Sequence, residues 1–138
     1  MAKLRADPAM APRAVEELLR YDGPSGAQVR VCAVEQTLHG KAIRPGDRVF
    51  LMLNAANRDE RAYPEPDRLD IGRDGAAHLT FGFGMHICLG FPLARLEGEI
   101  SLPAVLQKFP RIEFAGEPQW INSMVFRGMS TMPVRVSR

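Results

Sequence analysis

Hydrophobic and polar positions along the chain predict two helices separated by a strand-rich and then an irregular region. The run PRAVEELLRY, residues 12–21, reads as an amphipathic helix with proline in its first turn, acids early and an arginine late, as the helix dipole favours. Asp22-Gly23-Pro24 stops it. Residues 28–34, 37–39, 42–44 and 48–53 are rich in β-branched side chains and are punctuated by Gly40 and Pro45-Gly46, which predicts short strands in a small sheet. From 54 to 79 no period of 3.6 or 2 persists among Pro64, Pro66, Gly72 and Gly75, so an ordered, functional loop is expected there. Residues 91–109 form the second predicted helix, with Leu93, Leu96, Ile100 and Ala104 on one stripe and Pro103 expected to kink or shorten it. The tail, 111–136, predicts short strands joined by turns at Gly116 and Arg127-Gly128.

These elements amount to a single α+β unit spanning 1–138 with no internal boundary, repeat or linker. Eighteen basic and sixteen acidic residues leave a net charge of +2, too balanced for nucleic acid or an anionic membrane as the main partner. No apolar run approaches the roughly 18 residues of a membrane span, and the start has no apolar core of a signal peptide. Two cysteines, Cys32 and Cys88, cannot form a disulfide framework, so a reducing, cytoplasmic setting is expected. Cys32 reads as a small core hydrophobe, and His39 and His78 as surface or supporting residues.

The densest chemistry lies in residues 81–90, FGFGMHICLG. Gly82, Gly84 and Gly90 permit backbone torsions and close approaches denied to other residues, so the loop can come near a flat group. Cys88 stands just before the second helix, where unpaired amides and the positive dipole end favour thiolate over thiol. A thiolate there is a good iron ligand. The amides of Leu89 and Gly90 are candidate donors to the sulfur, Phe81 can cover it, and His86 can donate a ring N–H to a carboxylate. A cysteine ahead of a helix is more often an inert packing residue, and a zinc site with His86, Cys32 or His78 lacks the spacing of a tetrahedral motif.

The ten residues match the cysteine-loop signature of the cytochrome P450 family, F-x-x-G-x-H-x-C-x-G, and the chain resembles bacterial members of that family from about residue 4 to 136. AVEELLRY carries the family's ExxR pair as Glu17 and Arg20, and ANRDERAYPEPDRLDIGR resembles its meander, with Arg68 matched to the arginine that joins the pair. The string FPLARLE departs from the usual APLARLE by Phe91. The resemblance implies the C-terminal, proximal portion of the P450 fold, haem b held through Cys88, and propionates paired with Arg30 and His86. It further implies Phe81, Gly82, Leu89 and Gly90 around the cofactor, and a buried Glu17–Arg20–Arg68 network behind the cysteine loop. Residues 23–29 and the Val125–Phe126 turn match segments that line the family's substrate pocket.

By the same resemblance the complete enzyme inserts one oxygen atom from O2 into a small organic substrate, with electrons from a ferredoxin or flavoprotein reductase. Arg58, Arg61, Arg73 and Arg95 are candidate docking charges for such a donor. The resemblance covers about the last third of a full-length member, and the distal-helix string Ala-Gly-x-Asp/Glu-Thr does not occur in these 138 residues. The expectation is therefore a truncated piece, with another chain or self-association covering its open apolar faces, or a non-catalytic haem-binding or interaction module.

Overall fold

Helix α2 (Ala11–Asp22) presents two kinds of side chain to the interior, and the remaining elements are arranged about them in a computed structural model that describes residues 1–74 and 77–137. Ala11, Ala14 and Val15 supply a small apolar face, whereas Glu17 and Arg20 are buried charges. Alanines on that face let helix α4 (Phe91–Lys108) lie close, and Gly98 completes the fit, since a Cβ there would stand 2.9 Å from Val15 Cγ2. Leu4, Ala11, Ala14 and Leu106 form the buried apolar cluster, flanked by Met10, Ile71, Leu102 and Ile112.

Leu4 belongs to a short helix that the hydrophobic pattern did not reveal, α1 (Ala2–Ala6), followed by a 3-10 turn at Pro8–Met10. Asp7 accepts from the Ala9 amide at 3.1 Å and caps that turn. Arg5 reaches the far end of α4, donating to the carbonyls of Leu106 and Phe109, the latter at 2.8 Å. A cation thus meets the carbonyls that a helix C-terminus leaves open.

The two predicted helices are present, as Ala11–Asp22 and Phe91–Lys108. Pro103 does not shorten the second. Helix α4 runs unbroken through Pro103. Proline removes one backbone hydrogen bond, and core contacts of Leu102 and Leu106 on either side hold the turn in place. On the predicted stripe Leu93, Leu96 and Ile100 are exposed, whereas Gly98, Leu102 and Leu106 face the core. Apolar residues lie on more than one side of α4, so periodicity alone could not select the side that meets α2.

Among the described residues the strands form four antiparallel pairs. β1 (Ala27–Val31) pairs with β4 (Arg48–Met52), Ala27 opposite Met52. β2 (Gln36–Leu38) and β3 (Lys41–Ile43) close a hairpin through His39 and Gly40, both at positive φ. β5 (Arg111–Phe114) pairs with β8 (Val134–Ser137), and β6 (Gln119–Trp120) with β7 (Met129–Thr131).

The expected loop from 54 to 79 begins with one helical turn, α3 (Leu53–Ala56), and continues as linked turns, with Gly75 outside the described residues. Buried Asn57 ties its two ends together: its amide donates to Thr80 Oγ1 at 2.9 Å, and its oxygen accepts from the Leu79 amide at 2.7 Å. Thr80 in turn donates to the Leu19 carbonyl of α2 at 2.7 Å. The loop is therefore returned to α2 immediately before residue 81. Among the described residues no helix is long and apolar enough to cross a membrane.

The close approach at Gly98 yields a stability test. Replacing Gly98→Val should push against Val15 and destabilise the fold by about 1–3 kcal/mol through overpacking, read as a lower midpoint in thermal unfolding followed by circular dichroism.

Candidate functional site

The segment from Phe81 to Gly90 folds back on itself before entering α4. The Cys88 amide donates to the Phe81 carbonyl at 2.8 Å, and the Ile87 amide to the Gly84 carbonyl at 3.1 Å. Gly82 and Gly84 take φ of 78° and 74°, a region that side chains resist, and a Cβ on Gly82 would stand 2.8 Å from Gln28 Nε2. The tight fold pushes the other side chains outward: Phe83, Met85 and Leu89 are almost fully exposed, and Cys88 is an exposed free thiol. Gly90 follows close to the sulfur, where an added Cβ would lie 3.9 Å from Sγ. No side chain caps the first turn of α4; the Phe91 amide donates to the Cys88 carbonyl at 3.2 Å, and Pro92 has no N–H.

Phe81, His86 and Cys88 share a cleft of about 210 Å3 with Ser25, Gln28 and Thr80. A larger cleft of about 640 Å3 adjoins it, with Leu53, Gly82 and Phe83 on its apolar walls and Arg30 and His86 among its polar ones. Arg30 donates to Gln28 Oε1 and to the Val29 carbonyl, each at 3.0 Å, which holds its guanidinium at the β1 edge of that cleft. The structure thus brings Arg30, Phe81, Gly82, His86, Cys88, Leu89 and Gly90 to one region of the molecule.

Behind the loop stands the buried carboxylate of Glu17. Arg20 grips it with two parallel bonds, Nε to Oε2 at 2.7 Å and Nη2 to Oε1 at 2.9 Å. The Asp70 amide and Arg73 Nε also donate to Oε1, at 2.9 and 3.3 Å. Arg20 spends its remaining hydrogens on the carbonyls of Asn57, Pro66 and Arg68. Burial pushes the Glu17 carboxyl up, but the Arg20 bonds, the Asp70 amide and Arg73 outweigh it and hold the group below the ordinary carboxylate range.

The expected third arginine requires correction. Arg68 turns its side chain outward to Glu65 at 3.2 Å and Asp70 at 3.8 Å, and only its carbonyl joins the network. Arg73 takes the place assigned to it, and its Nη1 and Nη2 also bind the carbonyls of Pro64, Glu65 and Arg68. The reason is a chain reversal in which the Arg73 amide donates to the Asp70 carbonyl at 2.8 Å and Asp70 Oδ1 accepts from Gly72. That reversal points residue 73 back at α2. The string PDRLDIGR carries two arginines, Arg68 and Arg73, and spacing alone did not choose between them.

The four arginines expected to attract a redox partner are also engaged internally. Arg73 is committed to Glu17, Arg95 to Glu16, Arg58 to the Tyr21 carbonyl and Asp67, and Arg61 to Asp59. Cys32 is buried as expected and His39 is exposed, whereas His78 is buried next to Glu16. Among the described residues no three His, Cys, Asp or Glu side chains gather as a metal site.

The Cytochrome P450 family model matches residues 4–132. The chain belongs to the cytochrome P450 family. Polyketide biosynthesis cytochrome P450 PksS of Bacillus subtilis is 44% identical over 99% of the chain, and 6-deoxyerythronolide B hydroxylase of Saccharopolyspora erythraea is 42% identical over 99%. The chain spans 35% and 34% of those two P450s. The crystal structure of P450BioI with a fatty-acid-ligated acyl carrier protein superposes with a TM-score of 0.93 at 40% identity, covering 99% of this chain and 36% of that one. A structure of PksS gives 0.94 at 42%, again over 99% of this chain and 36% of that one. The chain accordingly has the α+β fold of part of a P450.

Two measurements follow from the charges behind the loop. Arg73→Ala should cost about 3–5 kcal/mol by leaving buried Glu17 underpaired, whereas Arg68→Ala should stay within about 0.5 kcal/mol, as chemical denaturation will read. The second concerns pH. Burial holds the His78 imidazole below its ordinary range against the pull of Glu16. The unfolded chain therefore takes up that proton first, and stability should fall as pH drops below about 6.5. Glu17 and Glu16, both held low, contribute fully above their ordinary 4.5 and lose that contribution on further acidification. Thermal midpoints between about pH 8 and pH 3 should decline in these two stages, and His78→Gln should flatten the upper one.

Proposed function

We propose that this chain is the cysteine-bearing, proximal part of a haem-thiolate monooxygenase, with Cys88 as the axial thiolate ligand of haem b. The observation that carries this reading is the posture of Cys88, exposed at the end of a glycine-folded loop, tied by its amide to the Phe81 carbonyl, and followed at once by the N-terminus of α4. An inert packing cysteine would be buried, as Cys32 is.

The surroundings suit a flat apolar group with an anionic edge. Gly90 stands beside the sulfur without a side chain, and Leu53, Gly82 and Phe83 give the adjoining cleft apolar walls. Arg30 and His86 stand on that cleft as the two donors for carboxylates. Phe81 shares the smaller cleft with Cys88. The N-terminus of α4 at Gly90 stands beside the sulfur. When bound, haem supplies the chemistry by which one oxygen atom of O2 enters a substrate and the other leaves as water.

The substrate in this reading is a small organic molecule, as for the 6-deoxyerythronolide B hydroxylase relative, and the electrons come from a ferredoxin or flavoprotein reductase, in the cytoplasm. Residues 23–29 and Val125–Phe126 serve as pocket-lining segments, and the Gly26 amide bonding to the Val125 carbonyl at 2.8 Å supports their joint role. A second reading, a haem-binding or interaction module without turnover, draws on the exposed Leu93, Leu96 and Ile100 of α4.

The test is the carbon monoxide difference spectrum of the haem-loaded, reduced chain. Cys88 should produce the strongly red-shifted Soret band of thiolate ligation, and Cys88→Ser should abolish it. A band indifferent to that substitution refutes the ligand assignment. A thiolate band without turnover of substrate, when a reductase and the remaining two-thirds of a P450 are supplied, favours the second reading.

A further inference from the structure

Glu16 and Glu17 are neighbours on α2 but face different parts of the structure. Glu17 serves the irregular loop, and Glu16 serves α4. Arg95 of α4 meets the Glu16 carboxylate fork to fork, Nε to Oε1 at 2.5 Å and Nη2 to Oε2 at 2.9 Å. The same guanidinium lies 5.1 Å from the Phe81 ring and 5.0 Å from the Phe91 ring, within cation–π range of each. His78 packs on the other edge of this group, its ring 5.5 Å from that of Phe81.

The imidazole is oriented. Its Nδ1 accepts from the Thr80 amide at 3.2 Å, so in the neutral ring the proton sits on Nε2. Nε2 is buried without an aligned hydrogen-bond partner, and Glu16 Oε2 lies 3.3 Å from it. The donor and the carboxylate thus attract electrostatically without forming a full bond. Phe81 stands against Arg95 and His78, and its carbonyl receives the Cys88 amide.

We infer that Glu16, Arg95 and His78 are positioning residues that fix the Phe81 ring and, through its carbonyl, the Cys88 end of the loop. This deepens the thiolate-ligand reading and rests on it only for its spectroscopic part. Glu16 chooses the position of Arg95, Arg95 holds Phe81 from the α4 side, and His78 supports it from the loop that precedes it. Phe81 and Cys88 are seven residues apart in sequence and joined by one backbone bond, so a ring that swings out releases that bond as well. Cys88 itself makes no contact with Glu16, and the effect is transmitted through Phe81.

The experiment compares amide hydrogen exchange in peptides spanning residues 81–91 of the haem-free chain, read by mass spectrometry, for the wild type, Arg95→Ala and Glu16→Gln. Leu106→Ala, in the core cluster, is the control for general loss of stability. Loss of the charged fork should speed exchange across 81–91 about tenfold in both site variants. Leu106→Ala, even with a lower melting point, should not single out this segment. In the haem-loaded chain the same two variants should lower the fraction of the reduced carbon monoxide adduct that carries the thiolate-type band. Unchanged exchange in Arg95→Ala and Glu16→Gln, or an equal local rise in Leu106→Ala, overturns the inference. The exchange arm decides it even if Cys88 proves not to be the ligand, because no cofactor is present in that measurement.

Discussion

A carboxylate cannot be taken out of water without several kcal/mol of cost unless donors replace its hydration, and in this chain that requirement falls on Glu17. Arg20 alone gives it two bonds, but Arg20 is itself buried and must dispose of its other hydrogens. The solution is a set of backbone carbonyls, those of Asn57, Pro66 and Arg68, drawn from a segment with no regular secondary structure. Charge satisfaction therefore does for residues 57–73 what a hydrogen-bond ladder does for a strand. The loop is ordered because its carbonyls and the Asp70 amide are partners of the ion pair, and Arg73 closes the set. A buried pair of this kind is weak evidence for net stability and better evidence for a specified geometry.

The geometry is then passed on to the cysteine loop along two routes that both begin on α2. One runs from Leu19 through Thr80 and Asn57, which pins the entry of the loop by hydrogen bonds. The other runs from Glu16 through Arg95 to the Phe81 ring, which pins its first side chain by charge and stacking. Between them the glycines at 82 and 84 accept positive φ, and the chain can turn sharply enough to leave Cys88 exposed and its amide bonded. A thiol presented in this way is held by its neighbours rather than by contacts of its own. Support of an exposed group by surrounding residues fixes its orientation more firmly than its own few contacts could.

Membership in the cytochrome P450 family places this arrangement among relatives about three times as long. It also changes how the surface arginines are understood. Arg73 and Arg95 looked like free positive charge in the sequence, but each is half of an internal ion pair and contributes far less to the outer field than its count suggests. The exposed apolar side chains of α4 and of the cysteine loop are the larger departure from an ordinary protein surface.

Much of this was legible in the linear sequence. The two long helices follow from local periodicity and their boundary residues, and the family follows from a ten-residue string whose glycines, histidine and cysteine have fixed spacing. The ExxR pair was equally visible, because residues three apart on a helix meet whatever surrounds them. What sequence left undecided were choices between equivalent candidates. Arg68 and Arg73 are arginines five residues apart in one segment, and only the reversal at Asp70–Gly72 aims the second at Glu17. Helix α4 is apolar on more than one side, and only contact with the alanine face of α2 selects Leu102 and Leu106 over Leu93 and Ile100. His78 gave no local sign of being buried against Glu16. Spacing reports which residues are near along the chain, and the tertiary structure decided these cases because charge pairing and packing depend on distances between segments that the chain order does not contain.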